Sequence, residues 1–138
     1  MSTICEIRSF AISSRRALEP GLDCDEAGRV ISAGSCLYAS VLLAELIRKF
    51  GVAEVVIRGG SGQGELGARD VEGAWHGHYW LDVVTPDGNQ LVVDITADQF
   101  GHEPVRVLPL MNSADYRPGD QAEVDAAVQL VRAELELT

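Results

Sequence analysis

The stretch Ser35-Cys36-Leu37-Tyr38-Ala39-Ser40-Val41-Leu42-Leu43-Ala44-Glu45-Leu46-Ile47-Arg48-Lys49-Phe50-Gly51 decides the fold class. Leu37, Val41, Ala44 and Leu46/Ile47 return near the helical period of about 3.6 residues, and Gly51 stands where a helix ends in a left-handed residue. The segment therefore reads as a helix over 35–50. Leu37, Tyr38, Val41, Leu42, Leu43, Leu46 and Ile47 cover more than one narrow stripe, which predicts a central helix packed on more than one side. Cys36 opens it, with Ser35 or Ser32 as the candidate cap. At that position unpaired N–H groups and the positive end of the helix dipole stabilise a thiolate. A small buried hydrophobe is the other role such a cysteine fills.

C-terminal to this helix the pattern changes to strands. Ala53-Glu54-Val55-Val56-Ile57-Arg58 is short and β-branched. Residues 59–67 then carry five glycines with no apolar period and read as a mobile loop, a candidate lid. No G-K-[ST] follows, so this is not a P-loop. Residues 75–85 and 90–95 are strand candidates joined by Pro86-Asp87-Gly88-Asn89, which supplies the dihedrals of a reversal and predicts an antiparallel hairpin. Val105-Arg106-Val107-Leu108, bounded by Pro104 and Pro109, fits an edge strand. Residues 119–137 read as an amphipathic helix with Val124, Val128, Val131 and Leu135 on one face.

N-terminal to Cys36, Thr3-Ile4-Cys5-Glu6 has the spacing of a capping box, and Ile4, Ile7 and Ala11 continue at helical spacing up to Pro20-Gly21. Residues 22–32 read as an irregular connection. The expectation is one α+β domain over 1–138: a small antiparallel sheet packed against the cysteine-bearing helix, with further N- and C-terminal helices.

With 138 residues the chain is large enough for one hydrophobic core. Its formal net charge of -10 repels nucleic-acid phosphates and anionic membrane surfaces, so neither is expected as a partner. The sequence has no signal-peptide pattern and no run near the roughly 18 apolar residues of a spanning helix, and it reads as a soluble, cytoplasmic protein. Three cysteines, Cys5, Cys24 and Cys36, with no C-x-x-C, favour reduced thiols over a disulfide framework or a zinc knuckle. Cys5 and Cys24 read as structural.

Two further elements carry chemistry. In a strand over 75–85, His76 and His78 share one face because side chains alternate. A metal site would need a third ligand such as Asp82 or His102, but no metal-binding pattern supports one, and neither metal nor cofactor is expected. Asp94 interrupts the apolar run Leu91-Val92-Val93-Asp94-Ile95, where a carboxylate must be paired or hydrogen-bonded. It either receives a histidine ring, as in catalytic triads, or caps the Thr96-Ala97 turn. Strand register decides which histidine faces it. A thiol, an imidazole and a carboxylate are the parts of nucleophilic acyl chemistry.

Gly34-Ser35-Cys36, His78-Tyr79-Trp80-Leu81-Asp82-Val83 and Val93-Asp94-Ile95-Thr96, in that order, resemble the transglutaminase-like branch of the papain-like cysteine enzymes. That family's pattern is a cysteine at a helix start, an H-x-W strand and an Asp followed by x-T. The resemblance covers residues 32–100. It implies a papain-like core with Cys36 as nucleophile, His78 as general base and acid, and Asp94 orienting His78, with His76 a neighbour. Arylamine acetyltransferases share the triad order, but their R-G-G-x-C pattern is missing around Cys36.

The implied activity is hydrolysis or acyl transfer on an amide, isopeptide or glutamine carboxamide through a thioester, with a protein, a peptide or a small amide as substrate. The Cys36 N–H is the natural oxyanion donor. Ser35, Trp80 and Gln99 are further candidates for substrate or oxyanion contact, Gln99 being equally explicable as a polar turn residue. The competing reading is a catalytically inactive binding module on the same fold, an acidic partner or inhibitor protein. A metal-dependent hydrolase is the third.

Overall fold

The computed structural model describes residues 3–24, 30–31 and 35–135. Helix α1, Thr3–Leu18, buries Ile7 and Ala11 and packs Ile4 beside them, as the spacing predicts, and adds Phe10 and Leu18 to the same cluster. The expected capping box rests on the Thr3 side chain, which lies outside the described residues. A 3₁₀ turn at Glu19–Gly21 follows, with Pro20 in its first turn. Where an irregular connection is expected, β1 (Asp23–Cys24) pairs antiparallel with β2 (Val30–Ile31). Helix α2, Cys36–Phe50, ends as its sequence foretells: Gly51 adopts φ 62°, and its N–H bonds back to the carbonyls of Arg48 and Ile47.

The remaining elements are β3 (Glu54–Ser61), β4 (Gly67–Arg69), β5 (Trp75–Val84), β6 (Gln90–Asp94), β7 (Arg106–Pro109), β8 (Tyr116–Arg117) and α3 (Gln121–Glu134). Asp120 caps α3 by accepting from the Ala122 N–H at 2.9 Å. Strands β3 to β8 form one curled antiparallel sheet in the order β7-β6-β5-β4-β8, with β3 also paired to β5. The β5–β6 hairpin turns at Gly88, φ 88°, with the Gly88 N–H bonded to the Thr85 carbonyl at 2.9 Å. Strand β7 takes the edge position that its flanking prolines favour.

The glycine-rich segment departs from expectation. Gly59, Gly60 and Ser61 continue β3 and pair with Tyr79, His78 and Gly77. A Cβ on Gly60 would lie 2.2 Å from the Gly67 backbone nitrogen, and one on Gly67 would lie 2.1 Å from the His76 carbonyl oxygen. These glycines are required by close backbone approach, not by loop mobility, and β4 begins among them. The free edge of β3 is covered too. Its carbonyls at Val55, Ile57 and Gly59 accept from Arg48, Gln121 and the Gly119 N–H, which blunts the edge against strand addition.

Two apolar clusters hold the domain together. On one face of the sheet Leu43, Ala44 and Ile47 of α2, Ile7 and Ala11 of α1, and Val124 and Val131 of α3 share one cluster with Ile57, Leu81, Val83 and Val93. Burying one such Leu or Ile contributes about 1.5–3 kcal/mol. Inside the curl, Trp80, Val92, Tyr116 and Ala68 form the second cluster, with Phe100 and Leu108 against it. Among the described residues no helix is long and apolar enough to cross a membrane.

Candidate active site

Strand β5 has two different edges. Along one, β3 pairs from Glu54↔Val84 to Ser61↔Gly77, and β4, whose Gly67 lies against Gly60, continues at Ala68↔His76. Along the other, β6 pairs only up to Leu81↔Val93, and among the described residues no strand pairs with 77–80 on that edge. His78 and Trp80 lie in this stretch, Asp94 follows the last β5–β6 pair as the final residue of β6, and Cys36 at the start of α2 acts on the His78 ring.

Asp94 resolves both alternatives raised by its place in an apolar strand, because it does both. Its Oδ2 accepts the His78 Nε2–H at 2.8 Å, and its Oδ1 accepts the Thr96 N–H at 3.0 Å, with Thr96 Oγ1 at 3.4 Å. The Tyr116 hydroxyl, from β8, also donates to Oδ2 at 2.8 Å. Asp94 is 2 % exposed, and burial alone would favour its neutral form. The His78 charge and these hydrogen bonds outweigh burial and hold the carboxyl below its ordinary range.

His78 is equally enclosed, at 1 % exposure. Burial is the largest influence on its ring and opposes the charged form, but the Asp94 charge and hydrogen bond, followed by the hydrogen bond and attraction of Cys36, raise it from 6.5 to about 9. With Nε2 committed to Asp94, Nδ1 lies 3.3 Å from Gln99 Nε2. An imidazole whose outer nitrogen is fixed by a carboxylate presents one defined nitrogen to a thiol. At Cys36, α2 contributes the anion-favouring end of a helix.

The other candidates take distinct places. Gln99 lies in the 3₁₀ turn Ala97–Phe100 and donates to the Thr96 carbonyl at 3.0 Å as well as facing Nδ1. Ser35 occupies the N-cap position of α2, where its carbonyl accepts from the Ala39 N–H at 2.9 Å, and its side chain makes no cap hydrogen bond. Ser32, the other candidate cap, lies outside the described residues. Trp80 is buried, with its ring stacked 6.3 Å from His78 and tilted 5.2 Å from Tyr116. It forms the wall behind the histidine.

His76 shares the His78 face as expected but stands apart from Asp94. It is exposed, pairs with Asp70 at 2.7 Å and stacks on Phe100, whose ring meets His78 edge-on from its other contacts. His102 bonds the Arg69 carbonyl, and Asp82 pairs with Arg58. Among the described residues no group of three or more His, Cys, Asp or Glu side chains is placed to hold a metal ion. Cys5 is exposed on α1.

Two supporting residues carry no motif. Arg15 of α1 is 4 % exposed, clamps Asp98 through two 2.8 Å bonds and donates to the Ile95 carbonyl at 2.9 Å. It thereby anchors the turn that carries Thr96 and Gln99. Tyr116 lies 22 residues beyond Asp94 in a two-residue strand. Arg15 has one sequence signal, a cation four residues after the buried Ala11 on the same helix face. A cleft of about 580 Å³ between α2, β3 and α3 contains none of the Cys36, His78 and Asp94 cluster. Its walls include Glu45 and Arg132, an ion pair between α2 and α3, which makes it a feature of helix packing.

Compared with protein-family models, with curated proteins and with solved structures, the chain matches none.

Proposed function

We propose that the protein is a thiol-dependent hydrolase or acyltransferase acting on an amide, isopeptide or glutamine carboxamide, on a papain-like core of the transglutaminase-like type. The observation that carries this reading is the buried His78, whose Nε2 is fixed by Asp94 at 2.8 Å and whose ring also feels the Cys36 thiol at the start of α2.

In the proposed reaction Cys36 Sγ attacks the carbonyl carbon, forming the C–S bond as the carbonyl π electrons move to oxygen. First-turn backbone N–H groups of α2, that of Cys36 foremost, receive the oxyanion, and the Gln99 amide beside Nδ1 is the candidate second donor. The tetrahedral adduct collapses as the C–N bond breaks, and the His78 imidazolium gives its Nδ1 proton to the departing amine or ammonia. Water or a second amine then attacks the thioester, losing a proton to Nδ1, and the thiolate leaves. Asp94 stays ionised throughout and keeps Nε2–H directed at Oδ2. Hydrolysis and transfer share the first half and differ in which nucleophile arrives.

The test is release of ammonia or amine from a panel of blocked glutamine, isopeptide and peptide amides, with acid-quenched protein analysed by mass for an acyl group on Cys36. Turnover and adduct are expected in the wild type and absent in Cys36→Ala and His78→Ala. Turnover that survives Cys36→Ala would overturn the reading. A stable complex with a basic protein partner, together with no adduct on any amide, would favour the binding-module alternative.

A further inference from the structure

Tyr116 stands outside the Cys36, His78 and Asp94 set, yet it shares the oxygen on which the pair depends. Asp94 Oδ2 accepts the His78 Nε2–H and the Tyr116 hydroxyl, each at 2.8 Å, while the Thr96 N–H holds Oδ1 at 3.0 Å. Donors on both oxygens, with Thr96 Oγ1 also 3.4 Å from Oδ1, hold the carboxylate against rotation. Tyr116 is 6 % exposed, and burial followed by the Asp94 charge pushes its ionisation far above the ordinary value, so the phenol remains a donor. The titratable and charged groups around this contact come from several elements. His78 (β5) and Cys36 (α2) lie on the carboxylate's histidine side. Arg106 (β7), in register across from Asp94, sets its guanidinium 5.6 Å from the Tyr116 ring centre. Asp115, beside β8, accepts from Arg106 and from Arg69 of β4.

We propose that Tyr116 is the positioning residue of the His78–Asp94 pair, its hydroxyl fixing the carboxylate and drawing charge away from the histidine so that the ring can release its proton to a departing amine. The proposal rests on the acyl-transfer reading for its purpose and on Oδ2 sharing for its physics. A donor aimed at the pair stabilises its less protonated states, so losing that donor raises the proton affinity of the pair as a whole. Tyr116 thus opposes the tendency of a buried, carboxylate-bound imidazole to hold its proton too tightly for general-acid work.

The experiment follows the His78 ring nitrogens by NMR in ¹⁵N-histidine-labelled full-length protein across pH. In Tyr116→Phe, which keeps the ring, the His78 midpoint is expected to rise by about one pH unit, the scale of one charge-assisted hydrogen bond. Incorporating 3-fluorotyrosine at 116, a stronger donor of nearly the same size, should move it down, which keeps the test decisive if the Phe variant folds poorly. Amide turnover by Tyr116→Phe is expected to fall about tenfold at neutral pH. A midpoint that stays in place or falls in Tyr116→Phe, or rises with the fluorinated residue, overturns the proposal. Midpoints that move as expected in a protein lacking Cys36-dependent turnover would uphold Tyr116's control of the pair and remove the acyl-transfer reading.

Discussion

Replacing Asp94 by Asn keeps the shape of the side chain and removes the charge that sustains the His78 imidazolium. In the wild type, folding raises His78 from 6.5 to about 9. At ~1.4 kcal/mol per pH unit that difference stabilises the folded state by about 3 kcal/mol. The His78 side chain is fully enclosed, so solvent screening takes little from this figure. Because the folded value lies above the unfolded one, the contribution is complete below pH 6.5 and disappears as pH rises through about 9. The lowered Asp94 carboxyl is the same interaction seen from the acid side: its contribution is present above 3.8 and is lost as pH falls through the depressed folded value.

In Asp94→Asn the ring is buried without a counterion, and desolvation then favours neutral imidazole. Urea denaturation at several pH values between 6 and 10 reads the difference. A Cys36→Ala background for both proteins silences the thiol, whose influence on His78 is the smallest of those acting. Stability of the Asp94 protein should fall by about 2–3 kcal/mol across this range, and that of Asp94→Asn should stay level or rise. Equal losses in the two proteins would refute the pairing.

Arg15→Ala should cost about 3–5 kcal/mol by urea denaturation, because it removes the buried cation that clamps Asp98 and the Ile95 carbonyl. Gly60→Ala should destabilise by about 1–3 kcal/mol or more, since the new Cβ meets the Gly67 backbone, which cannot swing aside as a side chain would. His76→Ala should change stability by less than about 1 kcal/mol, its Asp70 partner being part of an exposed pair. Gln99→Ala should leave the fold intact by circular dichroism and slow amide turnover about 10²-fold, the effect of losing one oxyanion donor.

What was legible in the sequence was whatever periodicity or a strong local signal encodes. Gly51 marks the end of α2, Pro86 to Asn89 the hairpin turn, and Val124 with Val131 the inner face of α3. The need to satisfy a carboxylate in an apolar strand pointed at Asp94, and the partners are those that chemistry demands. The 59–67 segment was misread for a physical reason: glycine marks a flexible loop and a site of close backbone approach alike, and only the distance from Gly60 to Gly67 separates the two. Strands β4 and β8 are too short to show alternation. Arg15 and Tyr116 reach their partners across 83 and 22 residues, and no local pattern records contacts of that kind.

The central claim is that His78 activates Cys36. Its most direct measurement is the rate of iodoacetamide alkylation at each cysteine, resolved by peptide mass spectrometry, at pH 6 in the wild type and in His78→Ala. The account predicts that Cys36 reacts faster than the exposed Cys5 despite its lower exposure, and that His78→Ala slows Cys36 by about tenfold or more while leaving Cys5 unchanged. Alkylation of Cys36 no faster than that of Cys5, or indifferent to His78, would contradict it.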